Sequence, residues 1–130
     1  MASSVGTHCI LDLYDCPTDL LDDRSFIEQA LRDAAEQGLT TLLKEISHQF
    51  NPHGVTALGL LAESHLSIHT WPEHCYAAVD LFTCGQDAEP QRACLFLVQR
   101  LQAKRHSLNI IARGAETSLP HRAPSVATTE

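Results

Sequence analysis

The feature that most constrains the fold is a pair of strand-like segments separated by a short turn. Residues 66–70 alternate between apolar and polar side chains, and residues 76–83 are rich in apolar and aromatic ones, as is typical of β-strands. The Trp-Pro-Glu sequence between them indicates a turn, so the two strands should pair antiparallel. Opposed residue numbers then sum to about 147, which places Thr83–Cys84 opposite Glu63–Ser64 to within about two positions.

The rest of the chain alternates between strand-like and helical patterns. Further strands are predicted over residues 8–14, 40–49, 55–62 and 107–112. One helix is predicted over residues 25–36 and ends at Gly38; its apolar stripe consists of Ile27, Ala30, Leu31 and Ala34. A second helix begins at Pro90, and the side chains that it turns inward are Cys94, Leu97, Val98 and Leu101.

The order of these elements, βαββββαβ, predicts the α+β class. Helices on one face of a mostly antiparallel sheet make a two-layer α/β sandwich. The second face of the sheet then lacks a cover, and we expect a dimer partner to provide it.

Length and composition narrow the class of protein. The 130 residues fit one domain, predicted over residues 1–114, and the Ser-, Thr-, Pro- and Ala-rich residues 115–130 are predicted to be a flexible tail. A net charge of -7 argues against a nucleic-acid partner. The five cysteines form no C-x-x-C pair, and no apolar targeting or membrane-spanning segment is present, so we expect a reduced, cytoplasmic protein.

The strand that follows Ser64 carries two histidines on one face. Alternation places His65 and His69 on the polar face of that strand. With the pairing described above, we expect Ser64, His69 and Cys84 to lie close together. A hydroxyl, an imidazole and a thiol then supply a nucleophile, a base and a proton donor.

Each of these residues also has a simpler interpretation. A serine in a strand is usually structural, and a cysteine such as Cys84 is more often a small buried apolar group than an acid. His65 and His69 have the spacing of metal ligands on a strand but no patterned third ligand, so no metal is predicted. Trp71–Pro72 is typical of a turn with a packed aromatic ring, and Glu73 of a solvated turn charge.

Residues 63–85, ESHLSIHTWPEHCYAAVDLFTCG, decide between these interpretations. They resemble the ESHL[ST]IHTWPE and YAA-D-FTCG signature of the bacterial S-adenosylmethionine decarboxylase proenzymes, which depend on a pyruvoyl group. The resemblance continues through residues 50–56, FNPHGVT, and residues 6–8, GTH, so that it covers roughly residues 6–114.

The resemblance implies that the protein cuts itself. In such proenzymes the serine hydroxyl, here that of Ser64, attacks the carbonyl carbon of Glu63 and converts the amide into an ester. Loss of the serine α-proton then releases residues 1–63 and leaves a dehydroalanine at position 64. Its hydrolysis gives off ammonia and leaves a pyruvoyl group at the start of residues 64–130. By the same resemblance, His69 is the base for this elimination.

Two departures from the family pattern lie near these residues. Thr56 resembles the position that supports the tetrahedral intermediate, where the family usually has serine; threonine keeps the hydroxyl and adds a methyl group. His74–Cys75 stands where the family commonly has Tyr-Gly, at the expected edge of the pocket.

The resemblance further implies the reaction. The pyruvoyl ketone would condense with the amino group of S-adenosylmethionine and accept the electrons left as CO2 departs, and the product would be the aminopropyl donor for spermidine synthesis. Cys84 resembles the proton donor to the substrate α-carbon. Phe50 and Trp71 resemble aromatic residues near the adenine and sulfonium, and Glu73 resembles the carboxylate that binds the ribose hydroxyls.

Two other functions remain open at this point. The same pyruvoyl chemistry could act on a free amino acid such as ornithine or arginine, because the cofactor does not itself select the side chain. A non-catalytic homologue that dimerises with an active partner is the second alternative, and the presence of Ser64, His69 and Cys84 argues against it. We expect a homodimer of processed protomers, because active sites of this family lie near the protomer contact.

Overall fold

The computed structural model describes residues 4–114, and the predicted tail at residues 115–130 lies outside the described residues. The elements in chain order are β1 (Gly6–Tyr14), α1 (Thr18–Leu21), α2 (Arg24–Gln37), β2 (Leu42–Gln49), β3 (Val55–Leu61), β4 (Ser64–Trp71), a 3₁₀ helix (Pro72–His74), β5 (Tyr76–Thr83), α3 (Pro90–Arg100) and β6 (Arg105–Arg113). The predicted order is confirmed. The structure adds α1 and the 3₁₀ helix, which are too short to show a periodic pattern.

The six strands form one sheet in the order β2-β3-β4-β5-β1-β6. Every neighbouring pair in this sheet is antiparallel. Helices α2 and α3 pack on one face, so the predicted two-layer α+β sandwich is confirmed.

Helix α2 covers the half of the sheet that contains the strand before Ser64. The Asp23 side chain caps the helix by accepting a hydrogen bond from the Phe26 N–H at 3.1 Å. The whole predicted apolar stripe of α2 is buried, and each large apolar side chain in it contributes about 1.5–3 kcal/mol. Gly59 in β3 allows this close packing, because a Cβ there would lie 3.1 Å from the Leu31 side chain.

Helix α3 covers the other half of the sheet. Pro90 stands in its first turn, where a missing N–H costs no hydrogen bond. Cys94, Leu97 and Leu101 are fully buried, as predicted, and Val98 packs partly buried against the same core. Both helices therefore lie in one layer, on one face of the sheet.

The opposite face of the sheet, which we call the open face, is covered by none of the described residues. Its exposed large apolar side chains are Ile46, Leu58, Leu60, Trp71 and Ile111. Ile46, Leu58 and Leu60 adjoin on β2 and β3, and exposed apolar side chains grouped in this way are typical of an interaction surface. In the described part of the chain, no helix is long and apolar enough to cross a membrane.

Candidate active site

The pairing of β4 with β5 fixes the first part of the site. Ser64 lies opposite Thr83, which confirms the predicted register. Cys84 follows directly and reaches back to the preceding turn: its backbone N–H and its thiol each donate a hydrogen bond to the Glu63 carbonyl oxygen, both at 3.0 Å. The structure therefore brings Ser64 and Cys84 together around the peptide bond between Glu63 and Ser64.

That peptide bond lies in a strained turn. Ser64 has a φ of 150°, in the range that favours glycine, and such strain costs on the order of 1–3 kcal/mol. The Glu63 side chain is held by the Thr41 N–H at 3.0 Å. Gly85 permits the approach, because a Cβ at that position would lie 2.9 Å from the Glu63 side chain. The carbonyl and its neighbours are thus held in place before any reaction.

The imidazole beside the Ser64 hydroxyl is that of His65. Ser64 Oγ lies 3.3 Å from His65 Nδ1. The His65 ring is exposed on the open face, beside the ring of Phe82. Sequence reasoning placed His65 on the correct face but assigned it no contact, because the contact depends on the unusual backbone of Ser64.

His69 lies away from this group. It is five residues further along β4, and at about 3.3 Å per residue this separation is about 17 Å. The prediction that His69 is close to Ser64 and Cys84 is therefore wrong within one chain. His69 Nδ1 lies instead 3.0 Å from Thr56 Oγ1 on the adjacent strand. Thr56, which was predicted to support the tetrahedral intermediate, therefore also lies away from Ser64 within one chain.

The residues predicted to bind substrate lie at the same end of the sheet as His69. Trp71 is 39% exposed, and its ring lies 6.3 Å from that of His69. Phe50 is 47% exposed at the end of β2, and Glu73 is exposed in the 3₁₀ helix. One chain therefore carries two separate groups of residues. The first is the Glu63–Ser64 peptide bond with Cys84, and the second is His69 with the aromatic and acidic residues.

Two residues near the second group were missed in the sequence. Tyr76 on β5 pairs with Trp71 on β4, and its hydroxyl donates a hydrogen bond to the Asp12 carboxylate. Burial is the main cause that raises the pKa of Tyr76, and the hydrogen bond to Asp12 is the second. The phenol of Tyr76 therefore stays protonated. Cys16 is buried, and its N–H donates to the Cys75 carbonyl at 3.0 Å. Burial, with a smaller effect of Cys75, raises the pKa of Cys16 to about 11. Period-two alternation signals the position of Tyr76.

The departure at His74–Cys75 has a structural consequence. Cys75 ends the 3₁₀ helix with a φ of 53°, in the left-handed region. Glycine, which the family commonly has there, adopts this conformation without a steric penalty, and cysteine does not.

Comparison with known proteins agrees with the fold and shows the family. The model of the family "S-adenosylmethionine decarboxylase" matches residues 7–114. A relative from Prochlorococcus marinus (strain MIT 9313), named S-adenosylmethionine decarboxylase proenzyme, is 53% identical over 115 residues, which are 88% of this chain and 92% of the relative. One from Thermosipho africanus, of the same name, is 42% identical over 123 residues, or 93% and 95% of the two chains.

A solved structure is also similar. The crystal structure of the adenosylmethionine decarboxylase from Aquifex aeolicus superposes with a TM-score of 0.83 at 36% identity, covering 93% of this chain and 100% of that one. This chain thus combines a six-stranded antiparallel sheet with a Glu63 carbonyl that is hydrogen-bonded by Cys84, and its relatives are named as proenzymes. The chain belongs to the S-adenosylmethionine decarboxylase family.

Proposed function

We propose that this protein is a proenzyme that cuts itself between Glu63 and Ser64 and then decarboxylates S-adenosylmethionine through a pyruvoyl group derived from Ser64. The observation that carries the proposal is the Glu63 carbonyl, which accepts hydrogen bonds from both the N–H and the thiol of Cys84 beside a strained serine. The relatives named as proenzymes of this decarboxylase support it. The cytoplasmic location and the lack of a nucleic-acid partner stay predictions.

The cutting chemistry follows from the atoms around this bond. When the Ser64 hydroxyl attacks the Glu63 carbonyl carbon, negative charge develops on the carbonyl oxygen. The two donors of Cys84 already point at that oxygen, and donors held in advance stabilise such a charge strongly. Opening the turn also releases backbone strain at Ser64.

The position of Ser64 at the start of β4, with the Cys84 thiol beside it, suits a pyruvoyl group. After cutting, the chain that starts at residue 64 begins at the first residue of β4, where the sheet still holds it against Thr83. A pyruvoyl group there supplies an electron sink for the decarboxylation, as pyridoxal phosphate does elsewhere. The thiol of Cys84 is then in position to give a proton to the substrate α-carbon.

The separation of the two residue groups supports a dimer as the active form. A base cannot act on Ser64 from about 17 Å away. Two copies related by a two-fold axis, with their open faces in contact, can place the His69 end of one sheet over the Ser64 end of the other. The exposed apolar side chains of the open face would be buried in the same contact.

In such a dimer, one protomer provides the bond to be cut and the other provides His69, Phe50, Trp71 and Glu73. The hydroxyl of Thr56 orients the His69 ring for removal of the Ser64 α-proton. Phe50 and Trp71 offer partly exposed rings for a purine and a sulfonium. The Glu73 carboxylate accepts hydrogen bonds from ribose hydroxyls.

The substrate is tested with a panel of amino acids and a variant of Glu73. Purified protein should release CO2 from S-adenosylmethionine and not from ornithine or arginine. Glu73→Gln should raise KM for S-adenosylmethionine by about 10-fold to 100-fold, or roughly 1.5–3 kcal/mol, because a hydrogen bond to a charged group is lost. Glu36→Gln, an exposed carboxylate on α2, is the control. Faster release of CO2 from ornithine or arginine than from S-adenosylmethionine would mean that the protein is an amino-acid decarboxylase.

A second prediction concerns Cys84. Cys84→Ser keeps a donor to the Glu63 carbonyl, so the chain should still be cut. Serine is a far weaker acid than cysteine, and decarboxylation should therefore fall by about 100-fold or more. Cutting is followed on a denaturing gel and turnover by CO2 release. A Cys84→Ser protein with the turnover of the wild type would refute the assignment of Cys84 as the proton donor.

A further inference from the structure

We infer that His65 is the general base of the first processing step, the attack of the Ser64 hydroxyl, and that His69 serves only the later elimination. This inference rests on the proposed self-cleavage between Glu63 and Ser64. It assigns two histidines of one strand to two successive steps.

The geometry favours His65 for the first step. Among the described residues, His65 Nδ1 is the one hydrogen-bond partner of the Ser64 hydroxyl, at 3.3 Å. A general base must lie within hydrogen-bond reach of the proton that it removes, and histidine is the usual base near neutral pH. His65 is in the same chain as the bond to be cut, so this contact needs no partner subunit.

The step is balanced in protons and electrons. His65 Nδ1 takes the proton of the Ser64 hydroxyl while Oγ forms a bond to the Glu63 carbonyl carbon, and the carbonyl π electrons move to the oxygen held by Cys84. As the carbonyl re-forms, the carbon–nitrogen bond breaks and its electron pair stays on the Ser64 nitrogen. That nitrogen takes the proton back from the His65 imidazolium. The products are an ester and a free amine, and His65 returns to its starting state.

The surroundings of His65 in one protomer suit a base that keeps its orientation and has open space beside it. On one side its ring lies 6.1 Å from the ring of Phe82 on β5. On the other side it lines a cavity of about 440 Å³ on the open face, together with Lys44, Leu58 and Leu60. A small molecule such as free imidazole can enter a space of this size before two protomers pair, which makes the role of the ring testable by chemical rescue.

The experiment compares His65→Ala, His65→Gln and His69→Ala with the wild type, and His106→Ala is the control because His106 is exposed on the edge strand β6. Both His65 variants should be cut about 100-fold more slowly or worse. Their uncut chains should resist hydroxylamine, which attacks esters but not amides. Added imidazole should restore cutting of His65→Ala. The uncut His69→Ala chain should be cleaved by hydroxylamine, because it stops at the ester.

The outcomes separate this inference from the proposed function. If the wild type is cut and the His65 variants are cut at the same rate, the inference is wrong and the self-cleavage stands. An uncut His65→Ala chain that hydroxylamine cleaves, or one that folds with the circular dichroism of the wild type and gains nothing from imidazole, also overturns it. If the wild type and His106→Ala stay uncut, the proposed function itself fails.

Discussion

The Ser64→Ala protein is expected to remain a single chain without decarboxylase activity. Alanine lacks the hydroxyl that attacks the Glu63 carbonyl carbon, so neither the ester nor the pyruvoyl group can form. The loss should be complete rather than partial, because the nucleophile and the precursor of the cofactor are the same residue. A denaturing gel after long incubation checks the cutting, and CO2 release from S-adenosylmethionine checks the activity.

Ser67→Ala is the matched control for this variant. Ser67 lies on the same strand, has no hydrogen bond to the Glu63 carbonyl, and pairs with Asp80 rather than Thr83. It should be cut like the wild type. Fragments ending at Glu63 in the Ser64→Ala protein would mean that another nucleophile or a contaminating protease cuts the chain. The proposal that the pyruvoyl group comes from Ser64 would then be rejected.

Mixing two inactive variants is expected to restore cutting. In the proposed dimer, the bond of one protomer is completed by His69 of the partner subunit. A Ser64→Ala chain therefore supplies the histidine that a His69→Ala chain lacks, and the latter keeps its serine. Random pairing of equal amounts makes about half of the dimers mixed, so about half of the His69→Ala chains should be cut. Co-expression with two different tags shows which chain is cut.

The control for the mixture is a Ser64→Ala chain that also carries His69→Ala. It can pair with the His69→Ala chain but offers no histidine, so no cutting should follow. If light scattering and the tags show mixed dimers and the His69→Ala chain nevertheless stays uncut, the two residue groups do not meet across the dimer. The hypothesis that two protomers share one active site would then be rejected.

Local patterns were sufficient to predict most of the fold. Strand alternation and the apolar stripe that contains Ile27 and Leu31 give the elements, because each depends on neighbours within a few residues. The antiparallel turn after Trp71 fixes the register, since a hairpin leaves the chain few ways to pair, and Ser64 lies opposite Thr83 as a result. Helix α1 was missed because four residues carry no period.

The site was predicted less completely than the fold. The resemblance identified Ser64, His69 and Cys84 as residue types but did not say which of them meet in one chain. The rise of about 3.3 Å per strand residue separates His69 from Ser64 within one chain, and only a second chain can bring the two residues together. The contact of Cys84 with the Glu63 carbonyl depends on the conformation of the turn between β3 and β4, and the pairing of Ser64 with His65 depends on a positive φ. Neither has a pattern in the sequence.

The central claim is that Ser64 becomes a pyruvoyl group by self-cleavage, and the intact mass of the purified wild-type protein tests it most directly. The account predicts two chains, residues 1–63 and residues 64–130. The second chain should be lighter by one ammonia than a chain that begins with serine, because the Ser64 nitrogen leaves when the pyruvoyl group forms. A single mass for all 130 residues, or a second chain that begins with an ordinary serine amino group, would contradict the account.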